Sequence, residues 1–159
     1  MQVVVATVGK LKEKFWREAQ AEYVKRLSAY ARLDIVEVDH ATTPAKPSDA
    51  EIEAAVQAEA ARLSGVLRDR DGVIALDRTG HAYSSEAWAN EYRRLMGEGF
   101  GRLVFFVGGS HGLAPELLQR SACKWSFGPA TFPHELARIM LLEQIYRGER
   151  ILRGEPYHK

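Results

Sequence analysis

The sequence predicts an α/β fold built on a mostly parallel, doubly wound sheet, and three observations carry that prediction. Short apolar runs alternate with longer amphipathic segments, the pattern of a sheet with helices on both faces. The run Leu103 to Val107 is apolar without a break, which suits a central strand covered on both sides. It ends in Gly108-Gly109-Ser110-His111-Gly112, and Pro115 then suits the first turn of a short helix. A strand, a glycine-rich turn and a helix let backbone N–H groups converge on a ligand. In open α/β sheets ligands sit at the carboxyl ends of the strands. The site is expected there.

The elements follow in order. Gln2 to Val8 reads as a buried strand closed by Gly9. Leu11, Phe15, Ala19, Tyr23 and Leu27 recur at four-residue spacing, an amphipathic helix to about Tyr30. Its other face carries Lys10, Lys12, Lys14, Arg17, Lys25 and Arg26, interrupted by Glu13, Glu18 and Glu22. A solvated face is the simpler reading of that mixture, and an RNA-binding face the rarer one. Leu33 to Val38 is a second strand, and the proline-containing stretch His40 to Pro47 is the one plausible flexible insertion.

Ser48-Asp49-Ala50-Glu51 is a capping box that opens a second helix, ending near Leu63 or Leu67 with Gly65 as a break. Asp71-Gly72 turns the chain into a third strand, Val73 to Leu76, and the loop Asp77 to Gly80 follows it. Ser84-Ser85-Glu86 opens a third helix through Met96, with Trp88, Tyr92 and Leu95 as its apolar stripe. After the Leu103 strand comes a short helix from Pro115 to about Arg120, then a short fifth strand, Lys124 to Phe127. The irregular loop Gly128 to Pro133 leads into the last helix.

That helix is unusual. Leu136 to Leu142, with Ile145 and Tyr146, places apolar residues on every side. A helix apolar all round needs partners all round, and a second copy of the chain is the simplest cover for the face turned from the sheet. His134 and Arg138 stand one turn apart, as do Glu143 and Arg147, the second pair reading first as a structural ion pair.

Composition narrows the function classes. With 159 residues, 46% hydrophobic and 27% charged, the chain is expected to form one domain, 1–159. A net charge of +1 gives no global field for nucleic acid, so any such binding must use local basic patches. Cys123 is alone, which excludes an intrachain disulfide and fits a reducing compartment, with a buried inert thiol as its role. Val3 to Val8 is too short for a signal-peptide core, and no run is apolar enough to span a bilayer. A cytoplasmic protein with no membrane contact is expected. His40, His81, His111, His134 and His158 show no metal-ligand spacing, so no metal is expected.

Several segments together resemble one family. They are V-V-V-A-T-V-G-K-L-K-E-K-F-W near the start, V-I-A-L-D-R-T-G at Val73 and V-F-F-V-G-G-S-H-G-L at Val104. T-F-P-H-E-L-A-R-I-M-L-L-E-Q-I-Y-R and the final G-E-P-Y-H-K complete the set and are more specific than the glycine loop. Across essentially the whole chain they resemble the ribosomal RNA large subunit methyltransferase H family. Its members are SPOUT-class enzymes that methylate N3 of a pseudouridine in bacterial 23S rRNA.

The resemblance implies a C-terminal trefoil knot, a rare exception to unknotted topology. It implies S-adenosyl-L-methionine held by three loops, at Leu76, at Gly108, and at Phe127, Gly128, Pro129, Ala130, Thr131 and Phe132. It also implies a homodimer acting on the ribosome, with each active site completed by the partner's carboxyl terminus. The sulfonium donor is already activated, so much of the protein's task is to position N3 in line with the methyl group. The N3 proton must leave, and a His near neutral pKa is the natural base. His134 and His158 are the candidates. Arg138 would stabilise charge on the flanking carbonyl oxygens, Tyr157 would stack on or bond the base, and Glu143 would orient a base or pair with Arg147. RNA contacts are expected from Arg147, Arg150, Arg153 and Lys159. Gly148 departs from the helix-favouring small residue expected there, so the last turn is expected to end or bend early.

Two rivals stay open. Gly108 to Gly112 satisfies G-x-S-x-G, which would make Ser110 the nucleophile of a serine hydrolase, although no Asp occurs after Asp77. A non-catalytic, dimeric RNA-binding module is the other.

Overall fold

The computed structural model describes residues 1–159. Ten elements alternate along the chain: β1 (Gln2–Val8), α1 (Lys14–Leu27), β2 (Arg32–Val38), α2 (Asp49–Ser64), β3 (Asp71–Ala82), α3 (Ser85–Gly97), β4 (Arg102–Val107), α4 (Pro115–Arg120), β5 (Cys123–Ser126) and α5 (His134–Leu152). The five strands form one sheet in the order β2-β1-β4-β3-β5, and every pairing is parallel. The doubly wound α/β class is as predicted.

Each face of the sheet has its own apolar layer. Val3, Val5, Leu103, Phe105 and Ile74 point to the side covered by α1, α3 and α5. Val4, Ala6, Val104, Phe106 and Val73 point to the other, where Ala60 and Leu63 of α2 and Leu117 of α4 meet them. This alternation inside unbroken apolar runs explains why β1 and β4 show no polar face. The predicted capping box forms, with Glu51 N–H on the Ser48 hydroxyl and Ser48 N–H on the Glu51 carboxylate, both at 3.2 Å.

Four expectations need correction. Phe15 does not join the buried face of α1; it is 59% exposed, and Ala19, Tyr23 and Leu27 turn inward without it. The third strand does not stop at Leu76. It runs to Ala82 with an irregularity, so that Leu76 and His81 both face Trp125 and residues 77–80 arch out between them. Gly80 is forced there, because a Cβ would come 2.6 Å from the Lys124 backbone of β5. Finally, α5 is flanked within its own chain by α1 and α3, and none of its residues is exposed. The all-round apolar character of that helix therefore does not by itself require a second copy. The helix also continues through Gly148 to Leu152 rather than ending early.

Candidate active site

The carboxyl ends of β3, β4 and β5 border a cleft of about 810 Å³. Its walls come from the arch Asp77-Arg78-Thr79, the turn Gly109 to Leu113, and the loop between β5 and α5. The turn is shaped by glycine. Gly109 and Gly112 form a backbone bridge, Gly112 has φ +78°, and a Cβ on Gly108 would lie 2.8 Å from the Gly112 carbonyl carbon. Close backbone approach of this kind leaves space that a ligand can fill.

The loop after β5 is fastened to the arch. The buried Ser126 hydroxyl donates to the Arg78 carbonyl at 3.0 Å and accepts from Gly128 N–H at 3.0 Å. Arg78 Nη1 donates to the Thr131 hydroxyl at 2.9 Å. Gly128 has φ +107°, a conformation open to glycine. Trp125 forms the back wall with Phe127 edge-on to it at 5.1 Å. An apolar, aromatic back wall with a few convergent polar groups suits a small-molecule ligand.

Of the residues predicted to hold a cofactor, Leu76, Phe127, Gly128, Ala130, Thr131 and Phe132 line the cleft. Gly108 and Pro129 do not, and Gly108 acts instead as the pivot of the turn. Asp77, Arg78, Thr79 and Trp125 line it without having been predicted. The sequence signal for the three arch residues was their position at the same sheet edge as the glycine turn; Trp125 had none.

The predicted catalytic residues separate into two groups. His134 opens α5 at the inner edge of the cleft, with Nε2 against Gly9 and 3.1 Å from Glu135 Oε1. Arg138, one turn on, is sealed at 1% exposure. Its Nη1 donates to Glu37 Oε2 at 2.7 Å and Gln20 Oε1 at 3.2 Å, and its Nη2 donates to the Gly9 carbonyl at 3.0 Å. These bonds direct the guanidinium toward β1 and β2 and away from the cleft, where a contact to a base had been expected. It fixes Gly9, against which the His134 ring rests.

Glu143, Tyr157 and His158 gather elsewhere, at least about 14 Å along α5 from His134 at 1.5 Å per residue. Glu143 Oε1 accepts from Arg147 Nη2 at 2.6 Å and from the Tyr157 hydroxyl at 3.1 Å. Arg147 Nη1 lies 3.2 Å from His158 Nδ1, and His158 Nε2 lies 2.6 Å from Glu86 Oε1. Burial, reinforced by the Glu143 carboxylate, pushes the Tyr157 phenol above its usual range, so it remains a proton donor at neutral pH. The Glu143–Arg147 ion pair forms as the spacing suggested. None of these four residues lines the cleft.

The hydrolase reading does not survive the geometry. Ser110 is exposed, takes no positive φ, and has no hydrogen bond to any histidine or carboxylate. A nucleophile elbow needs a strained turn and a base within reach. Cys123 is buried, and its Sγ lies 3.6 Å from the Tyr83 hydroxyl. Burial raises its thiol above the ordinary value, as an inert cysteine requires. No three His, Cys, Asp or Glu side chains gather as a metal would need, and no helix is long and apolar enough to cross a membrane.

Residues 1–158 match the model of a family described as "Predicted SPOUT methyltransferase". The chain belongs to the SPOUT methyltransferase family. Methyltransferases of this family generally use S-adenosylmethionine, and a glycine-shaped, aromatic-backed cleft at the strand ends fits that cofactor. The match covers the whole length of α5 and the tail as far as residue 158.

Proposed function

We propose that this chain methylates N3 of a pseudouridine in 23S rRNA, acting in the cytoplasm on the assembled ribosome as a homodimer. Residues 1–159 would form one SPOUT domain whose last segment threads a trefoil knot. The fastening of the Asp77 to Gly80 arch across β5 supports that crossing. Leu76, Phe127 and the Gly128 to Phe132 loop would hold S-adenosylmethionine, which supplies an electrophilic methyl group on a sulfonium.

His134 takes the N3 proton as the base is methylated, because it alone among the predicted catalytic groups borders the cleft. Arg138 acts through Gly9 as a positioning residue. Tyr157 and His158 reach the reacting base from the partner's tail. The observation that carries this reading is the separation of the predicted catalytic residues into two groups, one at the start of α5 and the other toward its far end and in the tail. A second copy turned about a two-fold axis brings the tail group of one chain to the cleft of the other, twice. Arg147, Arg150, Arg153 and Lys159 then meet the RNA backbone beside each cleft.

The test is a methylation assay on ribosomes lacking the modification, read by mass spectrometry of the target nucleoside. His134→Ala and His158→Ala chains should each be inactive in single turnover while still binding cofactor. Mixed, they should regain activity, because one of the two sites then carries both histidines. Wild-type rates in both variants, or no recovery on mixing, would overturn the arrangement.

A further inference from the structure

Beside the cofactor cleft lies a second cavity of about 390 Å³, at the ends of β1 and β2. Gly109, Ser110, His111 and His134 line both spaces and form the wall they share. Whatever fills the second cavity therefore sits against the group that faces the cofactor.

The second cavity contains one unusual group. Glu59, on α2, is 6% exposed and yet lines the space. Its Oε2 accepts from Ala41 N–H at 3.0 Å, which ties the segment after β2 to the helix. Its Oε1 has no donor from the protein, and no Lys or Arg lies within ion-pair distance of the carboxylate. Gly109 makes the approach possible, since even a Cβ there would stand only 3.3 Å from Oε1. Oε1 opens onto the cavity rather than being sealed within the protein, so an occupant that expels water from the space must bring an N–H or O–H to it.

The rest of the lining indicates what brings that donor. Lys10 and Lys12 stand exposed at the rim, suited to phosphate oxygens, and His40, Thr42 and Thr43 offer a ring and hydroxyls. This is a nucleotide's complement: charge outside, a stacking surface beside it, and an unpartnered acceptor facing the space. Resting on the function proposed above, the target base must direct N3 toward His134 and the cofactor. Pseudouridine has one further ring N–H, at N1, which uridine lacks because its N1 carries the ribose.

The geometry points to Glu59 as the residue that selects pseudouridine, its free Oε1 accepting the N1–H of the target base. Gln at this position can satisfy Ala41 N–H or the N1–H, but not both, because its amide nitrogen is a donor. The hydrogen bond to a charged group is thereby lost, a matter of roughly 10- to 100-fold.

The experiment compares wild type and Glu59→Gln on ribosomal subunits carrying pseudouridine, uridine or 1-methylpseudouridine at the target. Wild type should prefer pseudouridine over both alternatives. Glu59→Gln should lose about 10- to 100-fold in kcat/KM on pseudouridine, with its preference over uridine collapsing. Its Tm and calorimetric affinity for S-adenosylmethionine should be retained. Equal wild-type rates on pseudouridine and 1-methylpseudouridine would overturn the inference without any variant. Unchanged selectivity in folded Glu59→Gln would overturn it too, leaving the proposed reaction standing. A wild-type protein that methylates none of the three would overturn the reaction and this inference together.

Discussion

Trp88 and Trp125 lie face to face, with ring centroids 3.7 Å apart and an 18° angle between their planes. The pair joins α3 to β5 directly behind the cleft at the strand ends, and both rings are buried. Trp88→Ala should cost about 3–5 kcal/mol of stability through the cavity it leaves. It should also weaken S-adenosylmethionine binding, because Trp125 and Phe127 lose their support. Trp88→Phe should cost much less, since the buried Trp88 Nε1–H has no acceptor and its removal relieves that. Urea denaturation and calorimetric titration of both variants check the order.

Gly148 offers a stabilising substitution. A Cβ there would lie 3.5 Å from Trp88 Nε1 and 3.6 Å from Cδ1, ordinary contact distances. The residue is inside α5, where Ala is favoured over Gly by about 1 kcal/mol. Gly148→Ala should therefore raise Tm by about 2 °C or slightly more for a chain of this size. A fall in Tm would show that Trp88 cannot give way.

Asp71 sets a pH dependence at the opposite end of the sheet. Burial pushes its carboxyl upward, but the Arg102 guanidinium and Arg68 N–H outweigh burial and hold it below the ordinary 3.8. Because the folded value is the lower one, the pair's stabilisation is present above about pH 4 and is lost as pH falls through the folded value. Asp71→Asn leaves the buried Arg102 without its counter-charge and should cost about 3 kcal/mol at pH 7. The difference between variant and wild type should shrink in acid denaturation below pH 3.8.

Glu143 fastens the tail. Its Oε1 receives Arg147 and the Tyr157 hydroxyl together. Glu143→Gln should loosen residues 154–158, seen as faster amide exchange there. Cofactor affinity should be unchanged, because none of these residues lines the cleft. Slower exchange, or a weakened cofactor, would contradict the separation of the two groups.

Strands and helices were legible where local pattern decides them. The unbroken apolar run of β4 and the capping box at Ser48 are local signals with local consequences. Residues that look like a turn misled at Asp77 to Gly80. The chain there arches over Trp125 and rejoins the same strand, a long-range crossing that no neighbouring residue encodes. Periodicity also placed Phe15 on a buried face, although in the first turn of α1 it is left 59% exposed. The cleft's loops were visible through glycine and proline. Arg138's burial and Glu59's open oxygen were not, because each depends on residues from distant elements that no spacing connects.

The position of β1 has a consequence for biosynthesis. It is flanked by β2 and β4, and its pairing with β4 joins Gln2 to Arg102. At a synthesis rate of about 5–20 residues per second, the second neighbour follows the first strand by about 5–20 s. Throughout that interval one edge of Val-Val-Val-Ala-Thr-Val is unpaired, in a nascent chain whose parallel pairings close slowly. Chaperone capture of stalled nascent chains should therefore persist until β4 has cleared the exit tunnel, and then fall abruptly.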